Sequence, residues 1–299
     1  MKIQKTEIVD TFAEAFKMWG ARVVITADTK QWARAAAASM TGFATSVIRC
    51  KLEAAVECEI RKEDTPDHRP GVSVLLFTMS SKTIAGQLID RIGQCVMTCP
   101  TTAAYNGLES EKTVSVGGKL RFFGDGYQIS KVIGGRRIWR IPVMEGEFLI
   151  EDTFGIQPAV GGGNLIILGT NKYTALQAAT AASNAMREVA GVFLPFPQGV
   201  VGSGSKIGAR YKSMIASTND AYCPTLGSIS SKGVLPENVE AVYEIVADGL
   251  NEEAVKEAMR RGMHAAAGKG VMMITAGNYG GELGKYKFYL HNIIKESNT

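Results

Sequence analysis

Short runs of aliphatic and β-branched residues alternate with alanine-rich stretches along the whole 299-residue chain. Arg22–Ala27 (RVVITA) reads as a strand and Lys30–Met40 as an alanine-rich helix. A second strand is expected at Ser46–Cys50. After a polar excursion come a strand at Val72–Thr78 (VSVLLFT) and a helix at Ser81–Val96, with Ile84, Leu88, Ile89 and Ile92 on one face. A strand at Lys119–Phe123 completes the order β-α-β-β-α-β. The second half repeats it. Asn164–Gly169 (NLIILG) leads into a helix at Tyr173–Val189 and a strand at Val192–Phe196. Then follow the strand Ala241–Ala247 (AVYEIVA), a helix at Asn251–Ala267 opened by the capping-prone Asn251, and the strand Val271–Ala276. The predicted fold class is therefore α+β, a tandem duplication of ferredoxin-like (β-α-β-β-α-β) lobes. The lobes are expected at residues 1–145 and 146–299. The β-rich segment Gly124–Phe154 between them is expected to join the two, and the alanine stripes predict helices packed closely on their sheets.

One long stretch breaks the pattern. Pro195–Asp220 (PFPQGVVGSGSKIGARYKSMIASTND) has no helical or strand period at its centre, where Gly199–Gly208 holds four glycines and two serines. Loops of this length inside a compact chain tend to be functional. Glycine lets backbone N–H groups face a ligand with no Cβ in the way, and Lys206, Arg210 and Lys212 add positive charge. A site for an anionic, extended small molecule is one reading; a solvated surface loop is the other. Gly202–Lys206 lacks the spacing of a P-loop, and Ile207 stands where a dinucleotide fingerprint needs its third glycine.

Composition narrows the partners. A hydrophobic fraction of 45% and a charged fraction of 21% are those of an ordinary globular protein. The net charge of +4 is mild and its cations are interspersed with acids, so nucleic acid is not an expected partner. The N-terminus is polar and carries acids early, unlike a signal peptide, and no run of 18 apolar residues could span a membrane. Five cysteines, an odd number, argue against a disulfide framework and for the cytoplasm. Cys95 and Cys99 lie four apart, but His68, His264 and His291 are not spaced to complete a metal site with them. No metal is expected.

The chemistry rests on few residues. No nucleophile elbow, zinc-protease motif or Ser-His-Asp order is present. Cys99, in CPTTA after a helix, is a conceivable nucleophile and the basis of a cysteine-hydrolase reading, yet its surroundings are apolar and no nearby cation would lower its pKa. Glu244 stands out. It shares a strand face with Val242 and Val246, and burial there would raise its pKa into the range of general acid–base work. An edge-strand charge or a lysine-paired glutamate is the alternative. The final strand runs into Gly277-Asn278-Tyr279-Gly280-Gly281, a turn leaving the sheet whose neighbouring strand carries Glu244.

Several strings carry a resemblance. Asp10–Phe16 (DTFAEAF), Thr41–Ser46 (TGFATS), Thr65–Gly71 (TPDHRPG), Gly93–Ala103 (GQCVMTCPTTA), Arg121–Tyr127 (RFFGDGY), the SGSK core of Pro195–Gly208, AVYEIV around Glu244 and Ile274–Gly284 (ITAGNYGGELG) resemble the formylmethanofuran–tetrahydromethanopterin formyltransferases, in order and over essentially the whole chain. The resemblance implies a two-lobed enzyme moving a formyl group between the amine of methanofuran and a ring nitrogen of tetrahydromethanopterin. It places the catalytic glutamate at Glu244. Both carriers bear several negative charges, so Ser203, Gly204, Ser205, Lys206 and Arg210, with Asn278 and Tyr279, are the expected substrate-binding residues. No tightly bound cofactor is implied, since the two carriers are co-substrates. The strings RFFGDGYQISK and WRIPVMEGEF look closer to the versions of methylotrophic bacteria, which resemble the formyltransferase subunit of a formyltransferase–hydrolase complex. An oligomer is implied, as a homodimer or homotetramer or with formyl-hydrolase subunits, and Trp139 is expected either at such an interface or packed between the lobes. The alternative function is a non-catalytic, carrier-binding scaffold subunit. Two departures stand out: Gln198 replaces a usual glycine in the PFP loop, and His68 replaces another in TPDHRPG.

Overall fold

The computed structural model describes residues 1–226 and 235–296. The chain divides into two compact units, one made of Lys17–Ala159 and the other of Met1–Phe16 with Val160–Thr299.

In the Lys17–Ala159 unit, the later part of the strand Phe12–Thr26 lies between Gly71–Thr78 and Ala103–Asn106, antiparallel to both, and Glu53–Ile60 pairs outside Gly71–Thr78. With the intervening helices Lys30–Thr41 and Ser81–Arg91, this is the β-α-β-β-α-β order and the strand arrangement of a ferredoxin-like unit. Both helices bury one face on the sheet. Ala33, Ala36 and Ala37, with Ile84 and Leu88, meet Val23, Ile25, Val74 and Leu76 in one core. Small alanine side chains allow that close approach.

Two expected strands of this unit are helical instead. Val47–Cys50 is a short helix whose Ile48 N–H bonds to the Ser46 hydroxyl and whose Val47 N–H reaches the Glu53 carboxylate at 3.1 Å. The strand follows it at Glu53–Ile60, where alternating glutamates hid the apolar pattern. Lys119–Phe123 likewise falls in the helical turns Gly117–Leu120 and Arg121–Gly124. The closing strand is Ala103–Asn106, too short and too poor in β-branched residues to be seen by period. Residues Gly124–Phe154 form an antiparallel meander, Ile129–Ile133, Arg136–Val143 and Gly146–Glu151, whose last strand runs parallel to Ala103–Asn106. The segment is thus part of the Lys17–Ala159 unit and extends its sheet. Trp139 packs inside that unit: its indole N–H donates to Asp152 at 2.6 Å, and the Arg121 guanidinium lies 4.6 Å from its ring.

The second unit repeats the topology. Gln157–Gly169 is flanked by Ala241–Gly249 and Val271–Thr275, both antiparallel, and the short strand Val192–Phe193 pairs outside Ala241–Gly249. That short strand stops where Pro195 and Pro197 remove donors. The helices Lys172–Arg187 and Glu252–Ala266 cover one face, each opened by an asparagine side chain that accepts a backbone N–H, Asn171 from Thr174 and Asn251 from Ala254. Leu165, Ile167, Ile245 and Ala247 point to these helices. The opposite face carries Ile166, Leu168 and Val242 under Tyr222 and Val239. The first sixteen residues belong here because their pairing does: Thr6–Ile8 runs parallel to Val271–Thr275, and Phe12–Ala15 pairs with Tyr286–Tyr289. No described helix is long and apolar enough to cross a membrane.

Candidate active site

Strand alternation sends Val242 and Glu244 to the face away from the helices, and there the chain from Pro195 returns to cover them. Val201 makes an isolated bridge to Glu244, its N–H donating to the Glu244 carbonyl at 2.7 Å and its carbonyl accepting from the Glu244 N–H at 3.1 Å. That two-bond clip brings the glycine-serine segment against the carboxylate. A cavity of about 170 Å³ results, lined among others by Glu244, Val242, Ile166, Ser203, Gly204 and Tyr222. Glu244 is partly reachable from the cavity yet enclosed by protein on its other sides. Burial pushes its carboxyl up to about 7 from an ordinary 4.5. It therefore sits half ionised near neutral pH, the condition in which one group can both take and return a proton.

The expected binding residues divide. Ser203 and Gly204 line the cavity with Glu244; Ser205, Lys206 and Arg210 do not. Lys206 lies in a small hairpin, Lys206–Ile207 against Ala216–Ser217, and its ammonium forms an ion pair with Asp220. Arg210 is exposed in the same hairpin. Tyr279 does not line the cavity, but its turn leaves the sheet close by: Glu244 and Thr275 pair with Ile166 from its two sides, and Tyr279 follows Thr275 by four residues. Burial, then the Glu244 and Glu14 carboxylates, push its phenol above the ordinary range. Asn278 holds the turn itself. Its amide donates to the Thr11 hydroxyl and the Phe12 carbonyl, both at 3.2 Å, and its side-chain oxygen accepts from the Gly280 N–H.

Sequence reasoning missed two residues. Tyr222 covers the cavity, and its phenol, pushed up by burial, hydrogen-bonds with Thr275. It lies in a loop without period, so no pattern marks it. Glu14 is fully buried beneath the Tyr279 turn. Its signal was the one that singled out Glu244, a carboxylate inside an otherwise apolar strand. Cys99, in contrast, has its thiol pushed up by burial and then by the Glu145 carboxylate, the opposite of an activated nucleophile. Among the described residues no three potential ligands gather for a metal.

Comparison with known proteins identifies the family. Residues 1–143 match the family described as formylmethanofuran-tetrahydromethanopterin formyltransferase, and residues 146–293 match its proximal lobe. The chain belongs to that family. The family boundary falls in the meander, whereas the compact units are set by pairing that returns residues 1–16 to the C-terminal half. The formylmethanofuran–tetrahydromethanopterin formyltransferase of Methylobacillus flagellatus is 54% identical, the match covering 98% of this chain and all of that protein. One component of the formyltransferase/hydrolase complex of Methylorubrum extorquens is 47% identical, over 97% of this chain and 96% of its own length. Among solved structures, the Methanosarcina barkeri enzyme superposes with a TM-score of 0.93 at 49% identity, over 98% of this chain and 100% of that one. A chain of the Methylorubrum extorquens complex, solved with methylofuran, superposes at 0.95 with 46% identity, over 98% of each. Formyl transfer is the chemistry of this chain.

Proposed function

We propose that the chain moves a formyl group between tetrahydromethanopterin and a methanofuran-type carrier, with Glu244 as the acid–base group. The observation that carries the catalytic assignment is a carboxyl held near pH 7 by burial, on the wall of a cavity built by the glycine-serine segment. In the reaction a nitrogen of the acceptor attacks the formyl carbon directly. A tetrahedral intermediate forms, and Glu244 takes the proton released by the attacking nitrogen. The same proton then passes to the departing nitrogen as its C–N bond breaks. Charge builds on the formyl oxygen in between, and donors fixed before the reaction stabilise it. That Ser203 and Gly204 line the cavity with Glu244 supports giving them that task. The gain from holding two carriers in line is the other main contribution. This route consumes no resident cofactor.

The relative from Methylorubrum extorquens supports a partner reading, in which this chain assembles with formyl-hydrolase subunits or with copies of itself. All five cysteines are free, which supports a reducing cytoplasm. Glu244→Gln tests the central assignment. With both carriers saturating, turnover should fall by about 10²–10⁴-fold while the fold is kept. Unchanged turnover removes Glu244 from the chemistry, and no transfer by the intact chain with both carriers would leave a carrier-binding scaffold.

A further inference from the structure

Glu14 lies near the start of the strand Phe12–Thr26 and is 1% exposed. Its charge is answered by backbone. The N–H groups of Tyr279 and Gly281 donate to Oε2 at 2.6 and 2.9 Å, and those of Leu283 and Gly284 to Oε1, the first at 2.6 Å. Burial alone would raise this carboxyl, but the four donors outweigh it and hold Glu14 below the ordinary range, so it stays ionised. The turn is shaped around that anion. Gly280 and Gly281 both take φ of +75°, and a Cβ on Gly284 would lie 2.6 Å from the Ala15 carbonyl oxygen. The residue that enters this nest is Tyr279, whose ring leans on Phe16 with centroids 6.4 Å apart.

We propose that Glu14 is a positioning residue of the formyl-transfer site: by gripping the Tyr279–Gly284 backbone it fixes the Tyr279 phenol beside Glu244. The inference rests on the acid–base reading of Glu244. Glu244 and Thr275 flank Ile166 in register on neighbouring strands, and the strand of Thr275 runs directly into the Tyr279 turn. What lifts Glu244 is burial, so whatever keeps water from it sets its proton affinity. The titratable groups around it are Tyr222 and Cys223 from the covering segment and Tyr279 from the turn. On the far side, Lys287 pairs in register with Glu14, and its Nζ runs beside Gly281. Releasing Tyr279 would admit water to Glu244, and with burial the cause of its raised carboxyl, that lowers its proton affinity.

Glu14→Gln tests this, because an amide presents an N–H₂ to donors that need an acceptor. The folded variant should lose about 10–100-fold in kcat, the scale of a small misplacement, with KM changed less. Carbon-13 NMR of the intact protein, with the Glu244 carboxyl assigned through Glu244→Gln, should show its titration moving down by about one pH unit. The double variant Glu14→Gln/Tyr279→Ala should be no slower than Tyr279→Ala alone. Wild-type kcat and titration in Glu14→Gln, or a full multiplicative loss in the double variant, would overturn the proposal. Should Glu14→Gln not fold, Gly281→Ala strains the same turn and leaves the carboxylate in place. It must then produce the kcat loss and the titration shift, and wild-type values for both would overturn the proposal equally. The NMR readout needs no turnover, so it judges the placement by Glu14 even if Glu244→Gln proves fully active.

Discussion

Gln198 and His68, the two residues that stand where the resembling family usually has glycine, both take left-handed backbone, with φ of +52° and +56°. A side chain in that region costs about 1–2 kcal/mol, partly offset by the extra freedom glycine has when unfolded. Both side chains are exposed and bury little to compensate. Gln198→Gly and His68→Gly should therefore each stabilise the protein by about 0.5–1 kcal/mol, read as a rise in urea midpoint at constant slope. A drop would mean that the side chains make contacts worth more than the strain. Glu244 has the reverse character, since its environment opposes the state needed above neutral pH. Its folded pKa of about 7 exceeds the ordinary value of 4.5, so between these values the folded protein holds a proton that the unfolded chain has released. Its contribution to stability should fall as pH rises through that window and level off above it, by about 3 kcal/mol in total. Glu244→Gln, which cannot ionise, should gain on the wild type by that amount between about pH 4.5 and 8. Melts at the two pH values check it, and a pH-independent difference would show a carboxyl that does not titrate there.

Among the elements, the hairpin after the cavity-lining segment shows how tertiary contact can redirect a sequence signal. Lys206 looked like a cation awaiting an anionic carrier, but its ammonium meets Asp220, which lies at the start of the segment leading to Tyr222. The pair ties the hairpin to the chain that covers the cavity. If the tie is the function of Lys206, then Lys206→Ala and Asp220→Ala should raise KM for the carriers by similar factors. If Lys206 instead releases Asp220 to bind a carrier, Asp220→Ala should lower KM while Lys206→Ala raises it, and high salt should shrink both effects. Steady-state kinetics on the two variants at two ionic strengths separates the cases. The long strand Phe12–Thr26 is the other decisive element. Its first four residues pair with Tyr286–Tyr289 and its later ones with Gly71–Thr78, so a single strand serves both compact units.

At the scale of the molecule, that sharing predicts the behaviour of fragments. A piece cut at the family boundary, residues 146–299, would lack Thr6–Ile8, the pairing partner of Val271–Thr275, and would lack Glu14 at the centre of the Tyr279 turn. It should leave strand edges unpaired and aggregate or stay molten. Adding residues 1–16 by circular permutation should restore dispersed amide signals, and a well-folded 146–299 fragment would contradict the division. The β-α-β-β-α-β order was legible because period and length separate the alanine helices from the apolar strands, and Glu244 was legible because a carboxylate in such a strand is conspicuous. Ser46–Cys50 and Lys119–Phe123 misled because a few apolar residues suit a helical turn as well as a strand. Sequence alone thus determined the duplicated topology, the family strings and the acid–base candidate, all of which depend on residues near one another in the chain. Only the tertiary structure decided that Ser203 and Gly204 reach Glu244 while Lys206 turns to Asp220, and that Glu14 holds a turn more than 260 residues away. Those outcomes depend on which long-range partner satisfies each buried backbone group and charge, and no local pattern encodes that choice.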